Sequence, residues 1–223
     1  MEKPAVKPPL EETAEYKLGR NGEILMHSFA IEYGCTTFDI GGTARGQAPL
    51  LNSKWKNTIA PDALHIRNFP LWAEYKTKTN TFDWQGGSRD MVDRAPPCLA
   101  HGIEHRAFLD YKIANLKMPL VLWFLTINTG ALHIASLDEL GEPFNSVDAN
   151  WPMVNWPLSR MFHVVSFDQS RIWQYFRQQR RHAGLPTDTE RKELLDWLRP
   201  RQLEFEGFIE HFLIWRERQW AAA

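Results

Sequence analysis

Apolar positions recur along this chain at helical spacing in some stretches and at alternate or unbroken positions in others, and the changes of rhythm outline its elements. Asn21 to Tyr33, NGEILMHSFAIEY, carries Ile24, Leu25, Met26, Phe29, Ala30 and Ile31 most of the way round a helix. That helix is expected to be largely buried and to stop at Gly34. Glu23 and His27 share its polar face. Cys35 to Ile40 reads as a strand, and Ala63 to Arg67 and Leu71 to Thr77 read as two more, joined through Asn68, Phe69 and Pro70 into a hairpin.

Gly102 to Leu116 has helical spacing, with Ile103, Ala107, either Leu109 or Tyr111, and Ala114 facing inward. Met118 to Asn128, MPLVLWFLTIN, has the unbroken hydrophobicity of a strand buried on both faces, and Ala131 to Leu137 is a shorter alternating partner. Asp138 to Arg160 is interrupted by Pro and Asn and is expected to be irregular, ahead of a last strand at Phe162 to Phe167. Asp168 is placed to cap a helix beginning QSRIWQYFRQQRR, and Thr187 to Trp220 reads as helical, ended or kinked at Pro200.

Strand, helix, strand in this order predicts an α/β fold with a central mixed β-sheet flanked by helices, followed by a mainly helical C-terminal region. Residues 1–17, rich in Pro, Glu and Lys, are expected to form a disordered tail. Residues 18–167 form the α/β domain and 168–223 the helical region, which packs on it or mediates assembly of identical chains. Asn80 to Leu99, with its Gly and Pro-Pro, reads as a loop or lid carrying Arg89 and Arg94, with Lys78 just before it. Gly41 to Lys54 is also a loop. Gly41 and Gly46 have the spacing of a phosphate-binding loop, but Gln47 and Ala48 stand where that chemistry requires Lys and Ser or Thr.

Composition narrows the class. The 223 residues are 43% hydrophobic and 13% aromatic with ten Trp, which is the make-up of a packed core. The net charge of −1 gives no global attraction to nucleic acid, so any basic patch must be local. Cys35 and Cys98 have no metal-ligand spacing, and no charged leader with an apolar run opens the chain, which makes the cytoplasm the expected compartment. The longest apolar run, Pro119 to Ile127, falls well short of the roughly 20 residues of a membrane span, so no membrane association is expected.

The chemistry concentrates between Ile59 and Thr79, IAPDALHIRNFPLWAEYKTKT. Alternation along a strand points Glu74 and Lys76 to one face and Tyr75 to the other, and pairing of the two strands brings Asp62 toward Glu74. Two carboxylates and the backbone carbonyl of Tyr75 are the hard oxygen donors that Mg²⁺ prefers, with Mn²⁺ as a substitute. Lys76 is then free to orient water or to stabilise charge on a phosphoryl group.

Gly19-Arg20-Asn21-Gly22-Glu23 on a first helix, then Pro61-Asp62, then Glu74-x-Lys76, then a further helix, together resemble the PD-(D/E)xK nuclease superfamily and its restriction-endonuclease-like fold. The resemblance covers residues 19–137. It implies Mg²⁺-dependent hydrolysis of DNA phosphodiesters, with Asp62 and Glu74 as metal ligands, Lys76 and Glu23 as further catalytic residues, and His105, Tyr111 and Lys78 as substrate contacts. DNA is the implied partner.

Three other readings accompany it. The same fold could serve as a catalytically inactive DNA-binding or structural protein. His101-Gly-Ile-Glu104-His105 fits H-x-x-E-H, in which two histidines one helical turn apart hold zinc in a hydrolase. Arg171, Arg177, Arg180 and Arg181 read as a solvated helix face, and Trp173, Trp197, Trp215 and Trp220 as core.

Overall fold

A computed structural model describes residues 13–32, 34–40, 50–51, 58–67, 69–79, 100–145, 152–178, 186–198 and 201–202. The expectations for 1–12, for most of the 41–54 loop, for the whole of the 80–99 loop, for Arg180, Arg181 and Pro200, and for 203–223 lie outside these residues. The first half of the chain runs α1 (Ala14–Glu32), β1 (Thr36–Asp39), β2 (Leu50–Leu51), β3 (Thr58–Ile59), β4 (Ala63–Ile66), β5 (Pro70–Lys78) and β6 (Ala100–Glu104). There follow α2 (His105–Asn115), β7 (Leu120–Thr126), β8 (Ala131–Ser136), β9 (Phe144–Asn145) and β10 (Met153–Pro157). The last are β11 (Phe162–Ser166), α3 (Gln169–Gln178), α4 (Asp188–Leu198) and β12 (Arg201–Gln202).

The expected mixed sheet is present. Six strands lie in the order β1-β4-β5-β7-β8-β11, and the two residues of β12 add a seventh at the edge. Every pairing in it is antiparallel except β5 with β7, whose connection contains α2. β7 is buried at all of its positions, as its unbroken apolar run requires.

Each face of the sheet has its own core. On one, Leu25, Met26 and Phe29 of α1 pack with Ala73, Tyr75, Val121 and Trp123, together with Ile172 and Tyr175 of α3 and Leu195 and Leu198 of α4. The C-terminal helices thus share a core with α1. On the other, Tyr111 and Ala114 of α2 meet Leu120, Leu122 and Phe124, beside Ile103, Val154 and Trp156 of a small second sheet ordered β6-β10-β9. Among the described residues no helix is long and apolar enough to cross a membrane.

Five expectations are corrected. The first helix begins at Ala14, inside the stretch read as tail. Ala100–Glu104 is a strand and only His105 onward is helical: β6 pairs antiparallel with Met153–Pro157, and that long-range pairing outweighs the local helical spacing. The same pairing puts β10 inside the stretch expected to be irregular, and Leu109 faces out at 46% exposure while Tyr111 is buried. Finally, His27 is not on a polar face: it is 4% exposed, and its ring Nε2 shares a hydrogen bond with Thr37 Oγ1. Beyond α4, the pairing of β12 with β11 replaces helix at Arg201–Gln202.

Candidate active site

The β4–β5 ladder builds the site. Its register sets Ala63 opposite Ala73, so Asp62, one residue before β4, arrives beside Glu74. The Asp62 N–H donates to Glu74 Oε2 at 3.3 Å, and the Tyr75 N–H donates to Asp62 Oδ2 at 2.8 Å. Continued by two residues, the register places Pro61 opposite Tyr75. Proline has no N–H, so it cannot close the ladder on the Tyr75 carbonyl, which faces the same edge as the N–H held by Asp62. The Pro-Asp pair therefore ends the ladder and turns a carboxylate into the gap.

Glu74 and Lys76 share the α2 face of β5. The Lys76 ammonium pairs with Glu74 Oε1, and the buried Tyr111 hydroxyl donates to the same oxygen. Glu74 is almost fully buried, while the Lys76 side chain is 29% exposed, so the pair opens to solvent on the lysine side. Tyr75 projects into the opposite core, where its hydroxyl meets His65 Nε2 and its ring lies edge-on to Trp123.

Burial, reinforced by the charge of Glu74, pushes the Asp62 carboxyl well above the usual carboxylate range, with Lys76 partly opposing. Burial works against the charged form of Lys76, but Glu74 and Asp62 outweigh it and hold the ammonium above its ordinary value. Burial lowers Lys78, and the charge of Lys76 adds to that. Burial also raises the Tyr111 phenol, with Glu74 next in importance. The site is thus a desolvated acid pair only partly neutralised by one lysine.

The other predicted residues separate. Glu23 sits on the edge of this region, close enough for its charge to act on Asp62 and Lys76, but Arg20 binds it at 2.8 Å and binds Asp39 at 2.6 Å. Arg20 and Asp39 escaped sequence reasoning because only the β1–β4 register, which sets Asp39 opposite Ala63, brings them here. Tyr111 is 3% exposed, and its hydroxyl is engaged by Glu74. His105 opens α2 with its ring against Phe108, and no hydrogen bond joins it to the acid pair. Lys78 follows Lys76 on the same face, where the charge of Glu104 acts on it.

The zinc expectation loses its geometry. His101 lies in β6, buried, stacked on Phe124 and hydrogen-bonded to Thr126 at 3.1 Å, whereas His105 begins a helix. The two imidazoles are not one helical turn apart. Among the described residues, no three His, Cys, Asp or Glu side chains gather as metal ligands. Two carboxylates and a carbonyl are what the β4–β5 gap offers. Comparison with protein-family models, curated proteins and solved structures finds no match for this chain.

Proposed function

We propose that this protein is a Mg²⁺-dependent nuclease of restriction-endonuclease-like fold that hydrolyses DNA phosphodiester bonds. One observation carries the reading: Asp62, Glu74 and Lys76 meet at the end of the β4–β5 ladder, where Pro61 leaves the Tyr75 carbonyl without a ladder donor. The donor set fits a small hard cation, since it consists of carboxylate and carbonyl oxygens and carries negative charge that burial leaves poorly solvated.

Asp62 and Glu74 would hold Mg²⁺, or Mn²⁺ in its place, with the Tyr75 carbonyl beside them. When bound, the cation supplies Lewis-acid polarisation of a phosphodiester oxygen. Lys76, charged and reachable from solvent, orients the attacking water and stabilises the negative charge that builds on phosphorus-bound oxygens. Lys78 offers a second ammonium on the same face for a phosphate. Glu23 acts through its field and through Arg20. DNA is the proposed partner.

A second reading, the same fold without catalysis, is favoured by the ion pair itself: Lys76 already neutralises the Glu74 oxygen that a catalyst would keep available. One experiment separates the two. Purified protein is incubated with linear, single-stranded and branched DNA over a Mg²⁺ and Mn²⁺ series. Metal-dependent cleavage that Lys76→Ala and Glu74→Ala each depress by about 100-fold or more supports the nuclease. Cleavage unchanged in both variants removes the site, and DNA binding without cleavage leaves the scaffold.

A further inference from the structure

The hydrogen bonds on Glu74 restrict how it can hold a cation. A carboxylate has about four lone-pair positions, two on each oxygen. Lys76 and Tyr111 both donate to Oε1 and fill its two. The Asp62 N–H takes one position on Oε2, leaving a single one open. Glu74 therefore cannot chelate through both oxygens.

The two donors on Oε1 differ in exposure. Lys76 is part-exposed, and in the substrate-free chain its ammonium stays paired with Oε1. Tyr111 is buried among Ala114, Leu120 and Leu122, on a helix that spans the crossover between the two parallel strands. Its hydroxyl donates to Oε1 from within that core. With both donors in place Oε1 is closed to a cation, and loss of the Tyr111 hydroxyl alone reopens one position on it.

Cations respond differently to a one-oxygen ligand. Ca²⁺ gathers about six to eight oxygens and commonly takes a carboxylate bidentately, whereas Mg²⁺ and Mn²⁺ accept octahedral sites made of one or two single carboxylate oxygens and water. We propose that Tyr111 is a positioning residue that makes Glu74 a single-oxygen ligand and so selects Mg²⁺ or Mn²⁺ against Ca²⁺. This rests on the cation site of the proposed nuclease and adds the residue that sets its selectivity.

The test is made on the metal-free full chain, without substrate. Mn²⁺, Mg²⁺ and Ca²⁺ are titrated into wild type, Tyr111→Phe and Glu74→Gln by calorimetry, with Ca²⁺ competition for Mn²⁺ read by the free Mn²⁺ resonance. Wild type is expected to prefer Mn²⁺ over Ca²⁺. Tyr111→Phe is expected to narrow that preference about tenfold, and Glu74→Gln to abolish binding. Circular dichroism checks that Tyr111→Phe, which removes one oxygen atom, keeps its fold. Ca²⁺ displacing Mn²⁺ from wild type at equal concentration overturns the proposal with no substitution needed. A preference unchanged in Tyr111→Phe overturns the role of Tyr111 and leaves the nuclease standing. Wild type that binds no divalent cation, or Glu74→Gln that binds normally, overturns both.

Discussion

The backbone N–H of Tyr75 donates to the Asp62 carboxylate at 2.8 Å, across the point where Pro61 ends the β4–β5 ladder. One residue thus faces both halves of the molecule: its amide fixes a site carboxylate while its ring and hydroxyl anchor β5 in the α1 core. The cost falls on Asp62. Its carboxyl is raised by burial and by Glu74, so the native state is penalised for keeping it ionised. The penalty is absent below the ordinary carboxylate value near 3.8, where both native and unfolded forms are protonated, and complete above the raised native value. Asp62→Asn keeps the shape and an acceptor for Tyr75. It is expected to abolish cleavage while raising stability at neutral pH by about 0.5–2 kcal/mol, the usual gain from relieving a strained functional group. Urea unfolding of the metal-free chain checks it, and lower stability of the variant at pH 7 would refute it.

Lys76 and Asp62 set opposite limits on the proposed reaction. The lysine is held above its ordinary value by Glu74 and Asp62, so it stays charged through the alkaline range. The raised Asp62 must lose its proton to act. The rate of DNA cleavage at saturating Mg²⁺ is therefore expected to rise with pH on an acid limb above pH 3.8 and to show no loss from Lys76 deprotonation up to its ordinary value near 10.5. A fall in rate centred below pH 9, retained in Lys78→Ala, would contradict this.

Four histidines are expected to make the fold acid-labile. Burial lowers His65 and His101 to about 3 and His27 and His133 to about 4, against an ordinary value near 6.5. Their neighbours add to this, His27 acting on His65, and His133 with Lys78 acting on His101. Between the native and the ordinary values the unfolded chain binds protons that the native chain does not. Stability is then full above pH 6.5 and is lost as pH falls toward 4 to 3. Each such residue contributes up to about 1.4 kcal/mol per pH unit in that window. Unfolding free energies measured at pH 7, 6 and 5 are expected to fall steeply, and His101→Gln is expected to flatten the slope by about one proton.

The hairpin, the buried strand at Leu120–Thr126 and the shared face of Glu74 and Lys76 were legible because alternation is a local property, written into each strand. Asp62 followed from the register of that hairpin. What escaped was set by contacts distant in sequence. Ala100–Glu104 has apolar residues at helical spacing with His105–Asn115, and only Met153–Pro157 makes it a strand, with Gly102 close against the Asn155 side chain. Tyr111 was singled out by resemblance as a substrate contact. Its bond to Glu74 follows from how α2 crosses from β5 to β7, which no periodicity encodes. The engagement of Glu23 by Arg20 needed β1 to deliver Asp39.

Gly22 places α1 against the site strand. A Cβ there would overlap the Thr77 hydroxyl and crowd its Cβ and methyl, and Thr77 lies next to Lys76 on β5. Gly22→Ala sets two effects against each other. Alanine favours the helix by about 0.8–1.0 kcal/mol over glycine, while overpacking a buried contact costs about 1–3 kcal/mol. The steric effect wins because strand β5, paired on both sides by β4 and β7, cannot yield. The net expectation is a loss of up to about 2 kcal/mol. Thr77→Ala removes the hydroxyl and the methyl, so the double variant should recover most of that loss, and a double-mutant cycle reads the difference as coupling between the two positions. Independent, additive effects would mean that α1 is not seated on β5 through Gly22. In that case the field of Glu23, the next residue on the helix, would lose its structural basis for acting on Asp62 and Lys76.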